Sequence, residues 1–255
     1  PAPEVPANGF DPGQSGYVEP PESGEDVDVV VDPESNRLQI LEPWPAWDGK
    51  DFTDIPVLVK ATGKCTTDHI SPAGSWLRFR GHLDNLSDNM FLGAVNVFTD
   101  DPGTGKNQLS GEEVQPLPQV ARAYLAQGVR WVAVGDNNYG EGSSREHAAM
   151  SPRMLGAAAI ITRSFARIHE SNLKKQGLLP LTFEDPGDYD RIQADDRVSL
   201  LDLDQLAPGT PVTCVLKHAD GSEETINLRH TLNEGQIAWF RAGSAMNHMK
   251  NQESA

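Results

Sequence analysis

Two adjacent serines and an arginine, Ser143, Ser144 and Arg145, follow a glycine-rich turn and offer the clearest chemistry in the sequence. The apolar residues 130–134 before the turn predict a strand, and residues 146–154 after it predict a helix. A turn between a strand and a helix presents free backbone N–H groups, and the helix dipole adds positive potential there. The sequence therefore predicts an anion-binding site at this turn.

Ser143 has two interpretations that its spacing leaves open. With Glu146 it forms a Ser-x-x-Glu capping box, which closes a helix N-terminus without any chemistry. Alternatively, the N–H groups of the turn could stabilise a serine alkoxide, so that Ser143 would act as a base or nucleophile. The surrounding residues do not form the Gly-x-Ser-x-Gly elbow of hydrolases. Arg145 stands where a dinucleotide-binding fingerprint has its third glycine, which excludes that kind of site.

Two arginines and one aspartate are further candidates for the anion site. Arg145 in the first helical turn suits bidentate binding of a carboxylate, with a surface salt bridge as the alternative. Arg80 is either an ordinary loop cation or, together with Arg145, the partner of a second carboxylate. Asp68 precedes His69, and the two form either an acid–base pair or a loop in which the aspartate is a cap. The later histidines show no ligand spacing, so no metal site is expected within this chain.

The composition narrows the class of partner. The 255 residues include 21 Lys and Arg against 37 Asp and Glu, and the net charge of −16 argues against nucleic acid or an anionic membrane surface. No apolar run approaches the ~18 residues of a membrane span, and the Pro-rich, acidic start is unlike a signal peptide. A start at Pro1 without Met is typical of a processed or excised piece. Cys65 and Cys214 are too few to hold an iron–sulfur cluster or a structural zinc, and they fit a reducing compartment.

The chain divides into a linker and one domain. Residues 1–50 hold many of the prolines and are predicted to be an extended linker, with at most a short strand at 27–31. Residues 51–255 are predicted to be an α/β domain with a mostly parallel sheet, flanking helices and a smaller β layer from 195 to 230. Strands are expected at 55–61, 130–134, 157–162, 178–183, 197–203, 211–218 and 223–228, and helices at 118–127, 146–154, 165–176 and 233–240.

Four long motifs resemble the C-terminal swivel domain of aconitase, most closely that of the mitochondrial type. They are, in order, residues 64–71 (KCTTDHIS), 79–85 (FRGHLDN), 140–149 (GEGSSREHAA) and 164–177 (SFARIHESNLKKQG). The similarity extends from Gly13 in the linker to residues 239–244 near the end, so it covers nearly the whole chain. It implies the β/β/α layers of a swivelling domain.

The resemblance implies an activity and a role for each candidate residue. Aconitase is a hydro-lyase of the tricarboxylic acid cycle that interconverts citrate and isocitrate through cis-aconitate, using a [4Fe–4S] cluster. By this resemblance Ser143 matches the family's catalytic base. Arg80, Ser144 and Arg145 match ligands of the substrate carboxylates, and Asp68 matches the acidic residue that the family places near the active site. Ser143 and Asp68 are therefore the expected catalytic residues.

The resemblance also implies that the chain holds half of an active site. The family's cluster cysteines lie in three domains that precede the linker, and neither Cys65 nor Cys214 matches a cluster position. We therefore expect the [4Fe–4S] cluster to be ligated by N-terminal domains absent from this chain, and the isolated chain to be inactive. The resemblance places the protein in the mitochondrial matrix or in a bacterial cytoplasm.

Two alternatives stay open. The chain could be the small subunit of an isopropylmalate-isomerase-type hydro-lyase, although the long Pro-rich linker and the missing Met count against a separate subunit. It could instead be a stand-alone module that binds citrate-like anions, or an RNA-binding piece like the cytosolic relatives. The net charge of −16 disfavours RNA. Binding of isocitrate without the cluster domains would favour the anion-binding module.

Overall fold

A computed structural model describes residues 4–11, 13, 16–24, 27–111 and 114–253, in two compact units that divide after Val31. The first unit is exposed along nearly its whole described length and contains no helix or strand there. The short strand considered at 27–31 does not form. Val27, Val29 and Val30 are exposed, so little apolar burial offsets the conformational entropy lost when a strand is ordered.

The second unit alternates strands and helices. Its strands are β1 (Phe52–Lys60), β2 (Thr104–Gly105), β3 (Gln115–Pro116), β4 (Trp131–Gly135), β5 (Ala157–Thr162), β6 (Leu179–Phe183), β7 (Arg197–Leu201), β8 (Val212–Lys217) and β9 (Glu223–Arg229). Its helices are α1 (Thr67–Ile70), α2 (Leu83–Leu86), α3 (Leu117–Ala126), α4 (His147–Met154), α5 (Arg167–Lys175), α6 (Asp188–Arg191), α7 (Glu234–Ala242) and α8 (Ala245–Glu253). Among the described residues, no helix is both long enough and apolar enough to cross a bilayer.

Seven strands of the described residues close into a barrel, in the order β1-β4-β5-β6-β9-β8-β7. The pairs β1–β4, β4–β5 and β5–β6 are parallel, and a helix lies between the two strands of each pair along the chain. The other pairs are antiparallel, and β7 returns to β1 with Leu200 opposite Phe52. The predicted α/β class is confirmed. The smaller β layer predicted from 195 to 230 is β7–β9, whose outer strands pair with β6 and β1.

Two apolar cores lie on the two faces of the parallel strands. Val132 and Val134 belong to the barrel interior, together with alternate residues of β7–β9. Trp131 and Ala133 pack in the other core, with residues of α3 and α5. Successive side chains of a strand point to opposite faces, so a strand covered on both sides reads as a continuous apolar run. The barrel thereby holds the carboxyl ends of β1, β4 and β5 side by side.

The last two helices pack with residues 44–47. The Trp47 ring centroid lies 5.3 Å from that of Phe240 in α7, and Asn247 in α8 donates a hydrogen bond of 2.7 Å to the Trp44 carbonyl. Helix α7 ends at Gly243, whose φ of +92° is in the left-handed region. The sequence predicts this stop but not α8, because the residues after Gly243 carry only a weak apolar periodicity.

Candidate functional site

The Ser143-Ser144-Arg145 turn follows the carboxyl end of β4 and precedes α4, as the sequence predicts. Backbone hydrogen bonds tie this turn to the neighbouring loops. The Tyr139 N–H donates to the Ser164 carbonyl at 2.9 Å, and the Gly140 N–H donates to the Cys65 carbonyl at 2.8 Å. The loops that leave β1, β4 and β5 are therefore joined at the sheet edge where α/β proteins bind their ligands.

Of the two interpretations of Ser143, the capping box with Glu146 is wrong. Helix α4 begins at His147, Glu146 takes the cap position in helical conformation, and no side chain caps the helix. The Ser143 carbonyl accepts a hydrogen bond of 2.8 Å from the Thr67 hydroxyl. The Ser143 hydroxyl itself is exposed and is bonded to no other described residue. This leaves Ser143 free for the chemical interpretation.

The backbone of the turn supplies unpaired donors. Within the described residues, the N–H groups of 142–147 donate to no protein acceptor, and the first bond of the helix runs from the Ala148 N–H to the Arg145 carbonyl at 3.2 Å. The turn needs glycine at Gly140 and Gly142, whose φ angles of +80° and +101° lie in the left-handed region. A row of free N–H groups at a helix N-terminus is the arrangement that binds anions.

Arg145 and Asp68 are paired across 77 residues of sequence. Arg145 Nη1 donates to Asp68 Oδ1 and, at 3.1 Å, to the Ser71 carbonyl. The hydrogen bond from Arg145 holds the pKa of the Asp68 carboxyl below its usual range. Within the described part of the chain, Nε and Nη2 of Arg145 have no partner, so one edge of the guanidinium remains for a ligand.

Asp68 lies in α1, within a stretch for which the sequence predicts only a loop. Thr66 caps this helix, because its side-chain oxygen accepts a hydrogen bond of 3.3 Å from the His69 N–H. In the opposite direction, the Thr66 N–H donates a hydrogen bond of 3.2 Å to Nδ1 of the His69 ring. Because the His69 ring is held by the cap, no hydrogen bond joins it to Asp68 among the described residues. Of the two alternatives considered for Asp68, the structure does not support the acid–base pair with His69, and it pairs Asp68 with Arg145 instead.

Arg80 meets the site through its backbone. Its carbonyl lies 3.0 Å from Nε2 of His147, the first residue of α4. The Arg80 side chain is exposed and forms no ion pair with any residue that the structure describes. The structure thus brings Ser143, Ser144, Arg145 and Asp68 together, and places the Arg80 guanidinium outside the cleft that the two serines line.

A cleft of about 390 Å³ separates the turn from the N-terminus of α5. Its α5 wall contains Arg167, His169 and Asn172, which sequence reasoning did not assign to the site. All three residues lie in the motif 164–177, which was the feature of the sequence that could have indicated their place in the site. His169 is buried under Gly140, and burial lowers its pKa to about 4, so the imidazole is neutral at physiological pH. A larger cavity of about 540 Å³ lies between residues 45–55, Arg130, Arg153 and Phe240, away from the turn.

The two cysteines do not fit an iron–sulfur cluster. Cys65 and Cys214 belong to different cores, and burial raises the pKa of each thiol to about 12. In the part of the chain that the structure covers, no group of three or more His, Cys, Asp or Glu side chains is arranged to hold a metal ion. These residues therefore do not supply the ligands that a [4Fe–4S] cluster needs.

The chain is similar in sequence to aconitases, both in a family model and in individual relatives. A family model described as the aconitase C-terminal domain matches residues 55–186. The mitochondrial aconitate hydratase of Gracilaria gracilis is 58% identical over 247 residues, which are 97% of this chain and 32% of the relative. That of Saccharomyces cerevisiae is 53% identical over 98% of this chain and 32% of its own length. The chain thus spans about a third of the length of the curated relatives it matches.

A solved structure shares the fold. The crystal structure of 3-isopropylmalate dehydratase from Methanocaldococcus jannaschii superposes with a TM-score of 0.54, over 80% of this chain and 96% of that chain. The two sequences are 22% identical, so the likeness concerns the fold alone.

Proposed function

The chain belongs to the aconitase C-terminal domain family, and from that premise we propose that it is the swivel domain of an aconitate hydratase. In this proposal it supplies the base and the carboxylate-binding groups for the interconversion of citrate and isocitrate through cis-aconitate, a hydro-lyase reaction of the tricarboxylic acid cycle. Its partners are these tricarboxylates and the N-terminal domains of the same enzyme. Because its own cysteines do not fit a cluster, those domains hold the [4Fe–4S] group.

Ser143 is the proposed catalytic base. The observation that supports this proposal is that Ser143 is exposed and that its hydroxyl does not cap α4. The base removes a proton from the carbon next to a substrate carboxylate. A serine hydroxyl is a weak base unless its alkoxide is stabilised. The free N–H groups of residues 142–147 and the N-terminus of α4 provide that stabilisation, since both favour negative charge at this position.

Arg145, Ser144 and Arg80 are the proposed carboxylate ligands. Arg145 would bind one carboxylate through the edge of its guanidinium that Asp68 leaves free. Asp68 acts as the residue that orients Arg145. The Ser144 hydroxyl lines the same cleft and would donate to that carboxylate. Arg80, exposed beside the first residue of α4, would bind a second carboxylate when the domain meets the rest of the enzyme.

Sequence similarity distinguishes the aconitate hydratase assignment from the small-subunit alternative. The similarity to 3-isopropylmalate dehydratase is a similarity of fold at 22% identity, whereas the mitochondrial aconitate hydratase of Gracilaria gracilis is 58% identical to this chain. The small-subunit alternative is therefore weaker than the aconitate hydratase assignment. The names of these relatives favour the mitochondrial matrix over the bacterial cytoplasm as the compartment.

The test is an aconitate hydratase assay on this chain, on the separately produced cluster-bearing domains, and on their mixture. We expect activity in the mixture alone. Activity of the chain alone would mean that its chemistry needs no cluster, and the proposal would fail. An inactive mixture of folded, cluster-loaded parts would also count against it, provided that an intact control enzyme is active.

Ser143→Ala in the full-length enzyme tests the assigned base. Loss of a positioned general base costs roughly 10²- to 10⁴-fold in kcat, while tricarballylate, which undergoes no reaction, should still bind. Ser75→Ala is the matched control, because Ser75 is an exposed serine outside the cleft. A kcat near that of the control would show that Ser143 is not the base.

A further inference from the structure

The cavity of about 540 Å³ lies at the amino end of the parallel strands, opposite the end that carries the Ser143 turn. Residues 52–55 at the start of β1 and residues 128–130 just before β4 line it. None of the described residues that line it also lines the cleft beside Ser143. Its volume is within the range of about 300–1,000 Å³ that is usual for small-molecule sites. The cavity is therefore a candidate binding site that the proposed function does not use.

Two arginines line this cavity, and each is held by hydrogen bonds to backbone carbonyls. Arg130 Nη2 donates to the Ala157 carbonyl at 3.0 Å. Arg153 Nη2 donates to the carbonyls of Pro45 at 3.0 Å and Gly243 at 3.4 Å. The Nε atoms of both arginines are enclosed by protein, whereas each Nη1 is accessible and donates to no residue that the structure describes. Both guanidinium groups are thus fixed in place, with one nitrogen of each left for a ligand.

The two positive charges in this cavity have no ion-pair partner among the described residues. Arg153 is only 8% exposed. Its burial, and to a smaller extent the charge of Arg130, lower the pKa of Arg153 to about 10. A buried charge without a partner is costly, and two like charges in one cavity add their mutual repulsion. An anion bound between the two arginines would offset both costs.

The aspartates of the same cavity do not pair with the arginines. They are Asp48, Asp51 and Asp54. Asp51 already accepts two backbone N–H groups, at 2.9 and 3.2 Å. Asp48 attracts Arg130 electrostatically, but among the described contacts it forms no hydrogen bond or ion pair with that arginine. Asp54 is exposed. The negative charge that is present therefore leaves both guanidinium groups available to a further anion.

Aromatic rings form another wall of the cavity. Trp47, Phe52 and Phe240 line it. The Phe240 ring centroid lies 5.3 Å from that of Trp47 and 6.4 Å from that of Phe52. Small-molecule sites typically combine such an apolar surface with a few fixed polar groups that orient the ligand. The cavity thus suits a molecule that has both an anionic group and an apolar ring.

We propose that this cavity binds a small organic anion, whose phosphate or carboxylate group accepts hydrogen bonds from Nη1 of Arg130 and Nη1 of Arg153. Each of these groups carries two or more acceptor oxygens, so one group can accept from both guanidinium groups at once. The apolar part of the molecule lies against the aromatic wall. Because the cavity is at the opposite end of the strands from Ser143, this inference does not rest on the proposed function.

The test is calorimetric titration of this chain with phenyl phosphate and with benzoate, at constant ionic strength. We expect one saturable site per chain, and the ligand that binds more tightly identifies the anionic group. Arg130→Gln should weaken its binding roughly 10- to 100-fold in Kd, because a charge-assisted hydrogen bond is lost. Arg78→Gln is the matched control and should change nothing. The Arg78 guanidinium also lies over a phenylalanine ring, that of Phe79, but outside the cavity.

Asp48→Asn separates a loss of the site from a loss of folding. It removes the negative charge that attracts Arg130, and it keeps the Oδ1 atom that accepts the Lys50 N–H at 3.1 Å. Binding should tighten by about 2- to 5-fold, the effect of one partly exposed charge, which a destabilised fold would not produce.

The same titration of the full-length enzyme should give the same Kd. Binding by the chain but not by the full-length enzyme would show that the other domains cover the cavity, and the inference would be overturned. It is also overturned if neither ligand binds saturably, or if Arg130→Gln and Arg78→Gln bind the ligand equally well.

Discussion

Replacing Gly140 by alanine should destabilise the domain by a calculable amount. A Cβ at this position would lie within 2.6 Å of the Cβ, Cγ and Cδ2 atoms of His169, a buried ring that is 2% exposed. Forcing an extra methyl group into a packed core costs about 1–3 kcal/mol. The φ of +80° adds the strain of a non-glycine residue in the left-handed region, about 1–2 kcal/mol. Gly140→Ala should therefore lower the free energy of unfolding by roughly 2–5 kcal/mol.

Urea unfolding of the chain measures this loss, and Gly209→Ala separates its two parts. Gly209 has a φ of +81°, but an added Cβ would meet nothing within 4 Å. This control should therefore cost only the strain, about 1–2 kcal/mol. In thermal unfolding, Gly140→Ala should lower the Tm by on the order of 10 °C, since 1 kcal/mol corresponds to about 2–4 °C at this chain length.

A double-mutant cycle with His169→Ala tests whether contact with His169 causes part of the stability loss in Gly140→Ala. Removing the imidazole eliminates the contacts with Cγ and Cδ2, although the Cβ of residue 169 still lies 2.6 Å from the added methyl group. Gly140→Ala should therefore cost less in the His169→Ala background than in the native one. The coupling free energy between the two sites should be about 1–3 kcal/mol. A coupling near zero, or equal losses from Gly140→Ala and Gly209→Ala in the native background, would show that contact with His169 does not require the glycine.

Two further predictions concern charged contacts. Asp68→Asn should lower kcat/KM of the full-length enzyme about 10-fold, because it releases Arg145. Stability should change little, because the ion pair is partly exposed. A lowered midpoint of unfolding with normal kinetics would instead show that the pair has a structural role. Hydrogen bonds from His218 to Asp196 and Glu224 raise the pKa of His218 above about 6.5. The protonated form thus adds stability below pH ~6.5 that is lost as the pH rises through the raised pKa. The stability difference between wild type and His218→Gln in urea should be larger at pH ~6 than at pH ~9, and equal differences would contradict the ion pair.

Much of the element order could be predicted because it depends on neighbouring residues. The strand at 157–162 is predicted with its observed bounds, and the helix predicted at 165–176 is observed at Arg167–Lys175. The resemblance of the four motifs to aconitase is confirmed by the family match over residues 55–186. The short helices α1 and α2 were not predicted, because each spans one turn and is stabilised by a single cap, Thr66 or His82.

By itself, the sequence determined the strand–turn–helix unit and the presence of two serines and an arginine at its turn. The tertiary structure alone decided that β7 returns to β1 to close the barrel, that Asp68 pairs with Arg145, and that His169 lies beneath Gly140. It also decided that Ser143 does not cap α4, against the spacing of its neighbours. The physical reason is range: periodicity and turn chemistry act over a few residues, whereas these contacts join residues far apart in the chain. Such contacts exist only once the two cores have set the elements in place.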